Sequence, residues 1–318
     1  MSTKMKAAYY EAFGSPEEKP VKVGELPKPS AGEGEVLIRV KGAGVNPVDA
    51  YTVRGMLKDA FPCKFPLIPG WDVAGVVEET GHAARRFKKG DAVFAYARRP
   101  EIQHGTFAEY ISLSEAYVAA APASVSIEEA AGIPLVGLTA WQSLFDAGKL
   151  EAGQTVLIIG ASGGVGSVAI QLAKNAGAKV IAVASSANHA FMQELGADAC
   201  IDYHTADIAA DIEKAAGGPL DLIYDCSRGD VLSKTHQLLK QGGHLVSITN
   251  SKPERRDDVT FQYVFVEPNA PQLEELARLT DAGKLKIHVS KTYPLNEAAD
   301  ALQQIETLHT KGKIVIRM

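Results

Sequence analysis

The sequence predicts an α/β protein with two parts, a β-rich domain and a doubly wound parallel-sheet domain. Three observations carry this. The chain has 318 residues, enough for about two domains at roughly 100–200 residues each. Its first third holds short strand-like runs broken by Gly and Pro, as in a small, irregular β-barrel-like domain. From Thr155 onward apolar strands alternate with helices, which means a parallel sheet covered by helices on both faces.

In the first part, Glu35–Val40 is rich in β-formers after a Pro/Gly-rich approach. Val73–Glu78 is entered through Pro69-Gly70, and Asp91–Tyr96 follows the turn Lys89-Gly90. Phe107–Ile111 alternates at period two, which suits a half-buried strand. Ser126 opens a helix whose first turn carries Glu128 and Glu129, where carboxylates complement the helix dipole. The alternating series begins with strand Thr155–Ile159 and helix Val165–Ala176, closed by Gly177. Strand Lys179–Ala184 and helix Ala187–Leu195 follow, then strand Ala199–Tyr203 and helix Asp207–Ala216. Strand Leu220–Asp225, helix Val231–Lys240 and strand His244–Thr249 complete five units, with Asp258–Val266 as a sixth strand. A helix near Gln272–Ala282 precedes an irregular segment that ends in the apolar run Ile314–Ile316.

Composition narrows the function classes. Hydrophobic residues make up 46% and charged residues 22%, which excludes a disordered or collagen-like chain. A formal charge of −5 without a basic block argues against a nucleic-acid or anionic-membrane binder. The three cysteines, Cys63, Cys200 and Cys226, are widely spaced and suit a reducing compartment rather than a disulfide framework. No apolar leader follows Met1, and the long uncharged stretch Ala152–Ala173 is too glycine-rich for a membrane span. The expectation is a soluble, cytoplasmic protein.

The segment Ile158-Ile159-Gly160-Ala161-Ser162-Gly163-Gly164-Val165-Gly166 is the strongest local signal. Glycines there let the backbone approach a pyrophosphate, whose charge then sits at a helix N-terminus. Ala161 departs from a strict GxGxxG, but the loop follows a strand, opens a helix and starts a βαβ series. The alternative is a tight turn with no ligand. An NAD site places an acid at the end of the second strand for the ribose diol. Here that position reads Val183-Ala184-Ser185-Ser186, with no acid and two hydroxyl donors, which favours NADPH. Asn188 and His189 add donors, and the serines can also cap the next helix.

The chain resembles the medium-chain dehydrogenase/reductase superfamily, in its zinc-free quinone oxidoreductase and enone (2-alkenal) reductase branch. The residues that carry this are Gly44-Val45-Asn46-Pro47-Val48-Asp49-Ala50-Tyr51, Pro66-Leu67-Ile68-Pro69-Gly70-Trp71-Asp72, and Gly105-Thr106-Phe107-Ala108-Glu109-Tyr110. Leu138-Thr139-Ala140, the glycine loop, Leu195-Gly196-Ala197-Asp198, Ile201-Asp202-Tyr203 and Gly312-Lys313-Ile314-Val315 follow in family order. The resemblance implies a GroES-like catalytic domain from residues 1–125 and 286–318. It implies a Rossmann NADP(H)-binding domain from 126–285, an active site in the cleft between them, and a homodimer joined through Rossmann-sheet edges near Asp258–Val266. Zinc alcohol dehydrogenases place a Cys in the segment matching Gly44–Asp49 and a His after the Pro-x-x-Gly turn; this chain has Asn46 and Trp71 there, so no metal is expected.

Carried over residue by residue, Gly163, Gly164, Val165 and Gly166 match the pyrophosphate loop. Ser185, Ser186, Asn188 and Tyr203 match the 2′-phosphate region, where relatives often carry a Lys at the position of Asn188; His189 or Lys313 would have to compensate. Thr139, Thr249 and Val266 fall near the nicotinamide, and Lys313 in a terminal segment that reaches the cofactor.

The implied chemistry is metal-free hydride transfer from NADPH to a quinone or an α,β-unsaturated carbonyl. Tyr51 is the first candidate to donate a hydrogen bond to the substrate oxygen, or else packs on the nicotinamide. Asn46 could donate from its amide or simply stabilise the turn at Pro47. Asp49 reads as a structural acceptor or a proton relay beside the substrate pocket, and Trp71 as an apolar pocket wall or core packing. Cys63 and the run Glu254–Asp258 are read as incidental. A different class remains open: an NADP(H)-binding sensor or crystallin-like, partner-binding protein with little turnover.

Overall fold

The computed structural model describes residues 3–318. The chain divides into two compact units. One comprises residues 3–135 with Glu267–Gly283 and Ile287–Met318; the other comprises Val136–Val266 with Lys284–Lys286.

The first unit is β-rich. Its centre is the strand Glu35–Val45, which is long enough to pair antiparallel with three others. Asp72–Thr80 runs along one edge of it. On the other edge, Tyr110–Ser114 takes the first half and the terminal strand Lys313–Arg317 the second. The sheet continues outward through Ala92–Tyr96 to Val118–Ala120 on one side and Val289–Pro294 on the other. Val36, Ile38, Val40, Val73, Val77, Val93, Ile111 and Leu113 form its core. The strand expected at Phe107–Ile111 begins three residues later: Ala108 makes only an isolated bridge to Ala7, and the ladder with Glu35–Val45 starts at Tyr110. The Ser126 cap is present in both directions, its hydroxyl accepting from Glu129 N–H and the Glu129 carboxylate from Ser126 N–H. The helix Ala270–Asp281, expected with the parallel-sheet domain, belongs to this unit instead. Asp281 accepts from Ser124 N–H at 2.8 Å, and Glu274 pairs with Arg86 at 2.6 Å.

The second unit is a six-stranded parallel sheet. Its order is Ala199–Asp202, Lys179–Ala184, Thr155–Ile159, Leu220–Asp225, Leu239–Ser247, Thr260–Tyr263. Val156, Leu157, Ile158 and Ile159 are each at most 1% exposed, so both side-chain parities are covered, as a doubly wound sheet requires. Three strands occupy the expected residues. Two helices do not. Ala187–Leu195 is a 3₁₀ turn over Ser186–Asn188 followed by helix His189–Glu194. Val231–Lys240 ends its α-helix at Thr235, because Leu239 already pairs with Leu220 as sheet. The sixth strand is shorter than expected, Thr260–Tyr263, and forms the sheet edge.

Candidate functional site

In the first unit, four polar side chains meet in the core: Asn46, Asp49, Asp72 and Lys313. Strand Glu35–Val45 ends at Asn46, and Pro47 then opens the helix Pro47–Val53 with its ring at the first position, where no N–H is needed. Asp49, one turn in, accepts the Asn46 N–H at 2.8 Å. Asn46 Nδ2 donates to Asp72 Oδ2 at 2.8 Å, and Leu135 N–H donates to Asp72 Oδ1 at 2.7 Å. Because Ile314 pairs with Val45, the terminal strand delivers the Lys313 ammonium to this point. It donates to Val45 O at 3.1 Å and to Asn46 Oδ1, and it lies 3.4 Å from Asp72 Oδ2. The side chains of Lys313 and Asp72 are 4% and 0% exposed.

These contacts fix the Asn46 amide: its oxygen must face the ammonium and its nitrogen the carboxylate. One of its two amide hydrogens is left for another acceptor. Burial pushes the Asp72 carboxyl up and the Lys313 ammonium down, and their mutual attraction opposes both. Burial, followed by the Asp72 charge among the raising causes, pushes Asp49 up to about 8, against hydrogen bonding from Asn46 N–H and the Lys313 charge. Asp49 Oδ1 has no hydrogen-bond partner, nor do the buried Tyr10 and Tyr96 hydroxyls. Trp71 is 6% exposed and meets Phe61 and Tyr96 edge-to-face, at centroid distances of 6.3 and 6.1 Å. Tyr51 is half-buried on the same helix as Asp49.

The structure therefore gathers Asn46, Asp49, Trp71 and Lys313, and adds Asp72, which sequence reasoning passed over. Its signal was its place directly after Trp71 in the Pro69-Gly70-Trp71-Asp72 segment. Lys313 has a role that the sequence did not suggest. Its ammonium is buried and committed to three acceptors of its own unit, Val45 O, Asn46 Oδ1 and Asp72 Oδ2.

In the second unit, strand Thr155–Ile159 turns at Gly160 (φ +77°) into helix Gly164–Asn175. Gly160 and Ala161 N–H groups both donate to Val183 O, tying the loop to the neighbouring strand. A Cβ on Gly166 would lie 2.4 Å from Gly160 O, so only glycine lets the first helical turn back onto the loop. The N-cap, Gly163, has no side chain to offer, so the N–H groups of Gly164, Val165 and Gly166 point out of the helix uncapped. That is an anion cradle built from backbone. The sheet order reverses between Thr155–Ile159 and Leu220–Asp225, so the loop stands at the topological switch point.

On the far side of that point Asp225 accepts from the Ser247 hydroxyl at 2.8 Å, the Thr249 hydroxyl at 3.2 Å and Ser227 N–H at 3.2 Å. Burial pushes its carboxyl up. Asp225 and Thr249 line a cavity of about 240 Å³ together with Ser227, Arg228 and Asn250. Thr139 is buried and accepts the Tyr224 hydroxyl on its carbonyl at 3.3 Å; Val266 is buried just past the edge strand.

At the end of Lys179–Ala184, Ser185 Oγ accepts from Asn188 Nδ2 at 3.0 Å, an internal tie within the turn. Tyr203 is 42% exposed, its ring 4.1 Å from that of His204 and tilted by 42°. The segment 183–186 carries no acid, as read, but an acid from elsewhere in the chain reaches it. Asp202, paired with Ala184 across the sheet, accepts from Ser186 N–H at 3.1 Å. His204 N–H and Nδ1 both lie 3.0 Å from its other oxygen. The acid comes from the third strand, so the segment after the second strand could not reveal it.

No three His, Cys, Asp or Glu side chains among the described residues converge where a metal could be held. No helix among them is long and apolar enough to cross a membrane.

A β-rich unit and a Rossmann-type unit with a glycine loop at its switch point, in one chain, define a dinucleotide-linked dehydrogenase/reductase architecture. Family models agree: residues 32–123 match the alcohol dehydrogenase GroES-like domain and residues 195–316 the zinc-binding dehydrogenase model. The chain is 33% identical to a chloroplast envelope quinone oxidoreductase homolog of Arabidopsis thaliana, over 92% of each chain. It is 33% identical to the NADPH-dependent alkenal/one oxidoreductase of the same plant, over 98% of this chain and 79% of that one. The solved quinone oxidoreductase from Coxiella burnetii superposes with a TM-score of 0.89 at 33% identity, covering 99% and 100% of the two chains. The protein belongs to the medium-chain dehydrogenase/reductase family, with a GroES-like domain and a Rossmann-type parallel sheet.

The second family model is named for zinc, and the residues here do not fit that ion. Asn46 is a neutral amide already held on both sides, Trp71 is an apolar ring, and the Asp72 carboxylate has the Lys313 ammonium as its cation. A nicotinamide dinucleotide fits the uncapped helix N-terminus at Gly164–Gly166.

Proposed function

We propose that the protein is a zinc-independent oxidoreductase that moves hydride from NADPH to a quinone or an α,β-unsaturated carbonyl. One observation supports this reading: Asn46 and Asp72, in and beside the segments where the resemblance places zinc ligands, are held in a buried network with the Lys313 ammonium. Without a Lewis-acidic metal the acceptor must already be electron-poor, as quinones and conjugated carbonyls are.

The dinucleotide, when bound, supplies the hydride. The N–H groups of Gly164, Val165 and Gly166 would hold its pyrophosphate, and Ser185, Ser186 and Tyr203 surround the position of its adenosine ribose. Hydride delivered to the β-carbon of an enone leaves an enolate, whose oxygen needs a hydrogen-bond donor. The Tyr51 phenol is that donor, with the remaining Asn46 amide N–H as a second. Asp49 holds Asn46 from its backbone, Lys313 and Asp72 hold its side chain, and Trp71 walls the pocket. Thr139, Thr249 and Val266 border the nicotinamide.

Three free, half-buried cysteines suit a reducing cytoplasm. The edge strand Thr260–Tyr263 is the surface through which two copies would pair.

The test is NADPH oxidation followed by absorbance with a panel of quinones and enones, with and without a chelator. Turnover that the chelator does not slow is expected. Tight NADPH binding with no acceptor turned over would overturn the reading and leave a cofactor-binding protein.

A further inference from the structure

The carboxylate of Asp202 has no part in the reading above, yet it sits among the residues assigned to the cofactor's ribose. Sheet register places it there, since Ala184, the last residue of the second strand, pairs with Asp202, the last residue of the third. Its Oδ2 accepts Ser186 N–H at 3.1 Å, and its Oδ1 accepts His204 N–H at 3.0 Å. The Ser186 hydroxyl also holds it, and together these hydrogen bonds keep the carboxyl well below the usual carboxylate range. The side chain is 27% exposed, so its charge faces outward from the turn as well as into it. Ser186 is therefore not a free donor pair: its N–H and its hydroxyl both face the Asp202 carboxylate.

A ribose 2′-hydroxyl can donate to a carboxylate, whereas a 2′-phosphate beside one meets like charge. No lysine or arginine lies within the segment 185–189 to offset this. The Lys313 ammonium is held in the core of its own unit by Asp72, Asn46 Oδ1 and Val45 O. The nearest basic group is the His204 ring, 3.0 Å from the carboxylate and 69% exposed.

We propose that Asp202 sets the ratio between the two nicotinamide dinucleotides, drawing the 2′-hydroxyl of NADH and opposing the 2′-phosphate of NADPH, so that the protein takes both. This rests on the cofactor reading above and refines it: NADPH is accepted through Ser185 and Tyr203, but without strong preference.

The experiment is equilibrium binding, with no substrate present. The purified full-length protein and its Asp202→Asn variant are titrated with NADPH and NADH, following ligand fluorescence. Asparagine keeps an acceptor for Ser186 N–H, and an unchanged thermal midpoint verifies that the turn is intact. An Asp202→Ser variant repeats the measurement with a shorter side chain. The wild-type affinities are expected to lie within about tenfold of each other, and both variants to shift the ratio towards NADPH by about tenfold or more. A ratio that neither variant moves, or a wild-type preference for NADPH of about a hundredfold, would overturn the role of Asp202 while leaving the reductase reading intact. Failure of either dinucleotide to bind the wild type would overturn both.

Discussion

Replacing Lys313 with Met should cost the fold about 3–5 kcal/mol, because it strips the cation from a carboxylate that water cannot reach. The alkyl stem is largely retained, so packing changes little and charge is the main variable. At 3.4 Å and an effective dielectric near 20, Coulomb's law gives about 5 kcal/mol for the pair. Desolvation of both ions offsets much of that in the intact protein, so the pair's net worth is smaller than the loss on breaking it. The double variant Asp72→Asn/Lys313→Met should therefore recover much of the deficit. Urea unfolding followed by tryptophan fluorescence suits the measurement, since Trp71 adjoins Asp72 and is 6% exposed. The deficit has a pH signature. Burial already raises the Asp72 carboxyl, and losing Lys313 raises it further. A carboxyl whose folded pKa exceeds its unfolded value lends stability at low pH that is lost as pH rises through the folded value. The single variant should accordingly sit closer to wild type at pH 5 than at pH 8. A loss below about 1 kcal/mol, the worth of an exposed pair, would refute the reasoning. So would strict additivity of Asp72→Asn and Lys313→Met.

Two further substitutions separate the two halves of the proposed machinery. Tyr51→Phe should lower kcat with an enone by about a hundredfold, the worth of one donor to a developing oxyanion, and leave NADPH affinity unchanged; full activity would assign Tyr51 to packing alone. Gly166→Ala forces a Cβ to within 2.4 Å of Gly160 O, so it should cost about 1–3 kcal/mol in a thermal or urea melt and weaken NADPH binding in a titration. Unaltered affinity in a folded Gly166→Ala protein would remove the glycine loop from the cofactor site.

The parts legible in advance are those whose signal is local. Thr155–Ile159, Lys179–Ala184 and Leu220–Asp225 are apolar runs short enough to be strands and bounded by turn residues, and each occupies the residues expected. The glycine loop reads the same way, since a strand, a tight turn and a helix N-terminus are contiguous in the chain. The errors fall where a neighbour decides. Val231–Lys240 has a helical pattern throughout, but Leu239 is claimed by Leu220 across the sheet. The ladder at Tyr110–Ser114 starts where Glu35–Val45 has a free edge, and the alternation from Phe107 could not show that.

Sequence alone determined the two-part α/β architecture and the glycine loop that opens a helix, because apolar periodicity and glycine placement act within a few residues; the family was legible through resemblance, in ordered segments spread along the chain. Tertiary structure alone decided the electrostatics of the site. Lys313 meets Asp72 across 241 positions because the terminal strand pairs with Glu35–Val45. Asp202 meets Ser186 because two parallel strands end in register. In both cases the physical cause is the same. A charge acts over a few ångströms of space, and which charges come that close is set by strand pairing between distant segments, not by spacing along the chain.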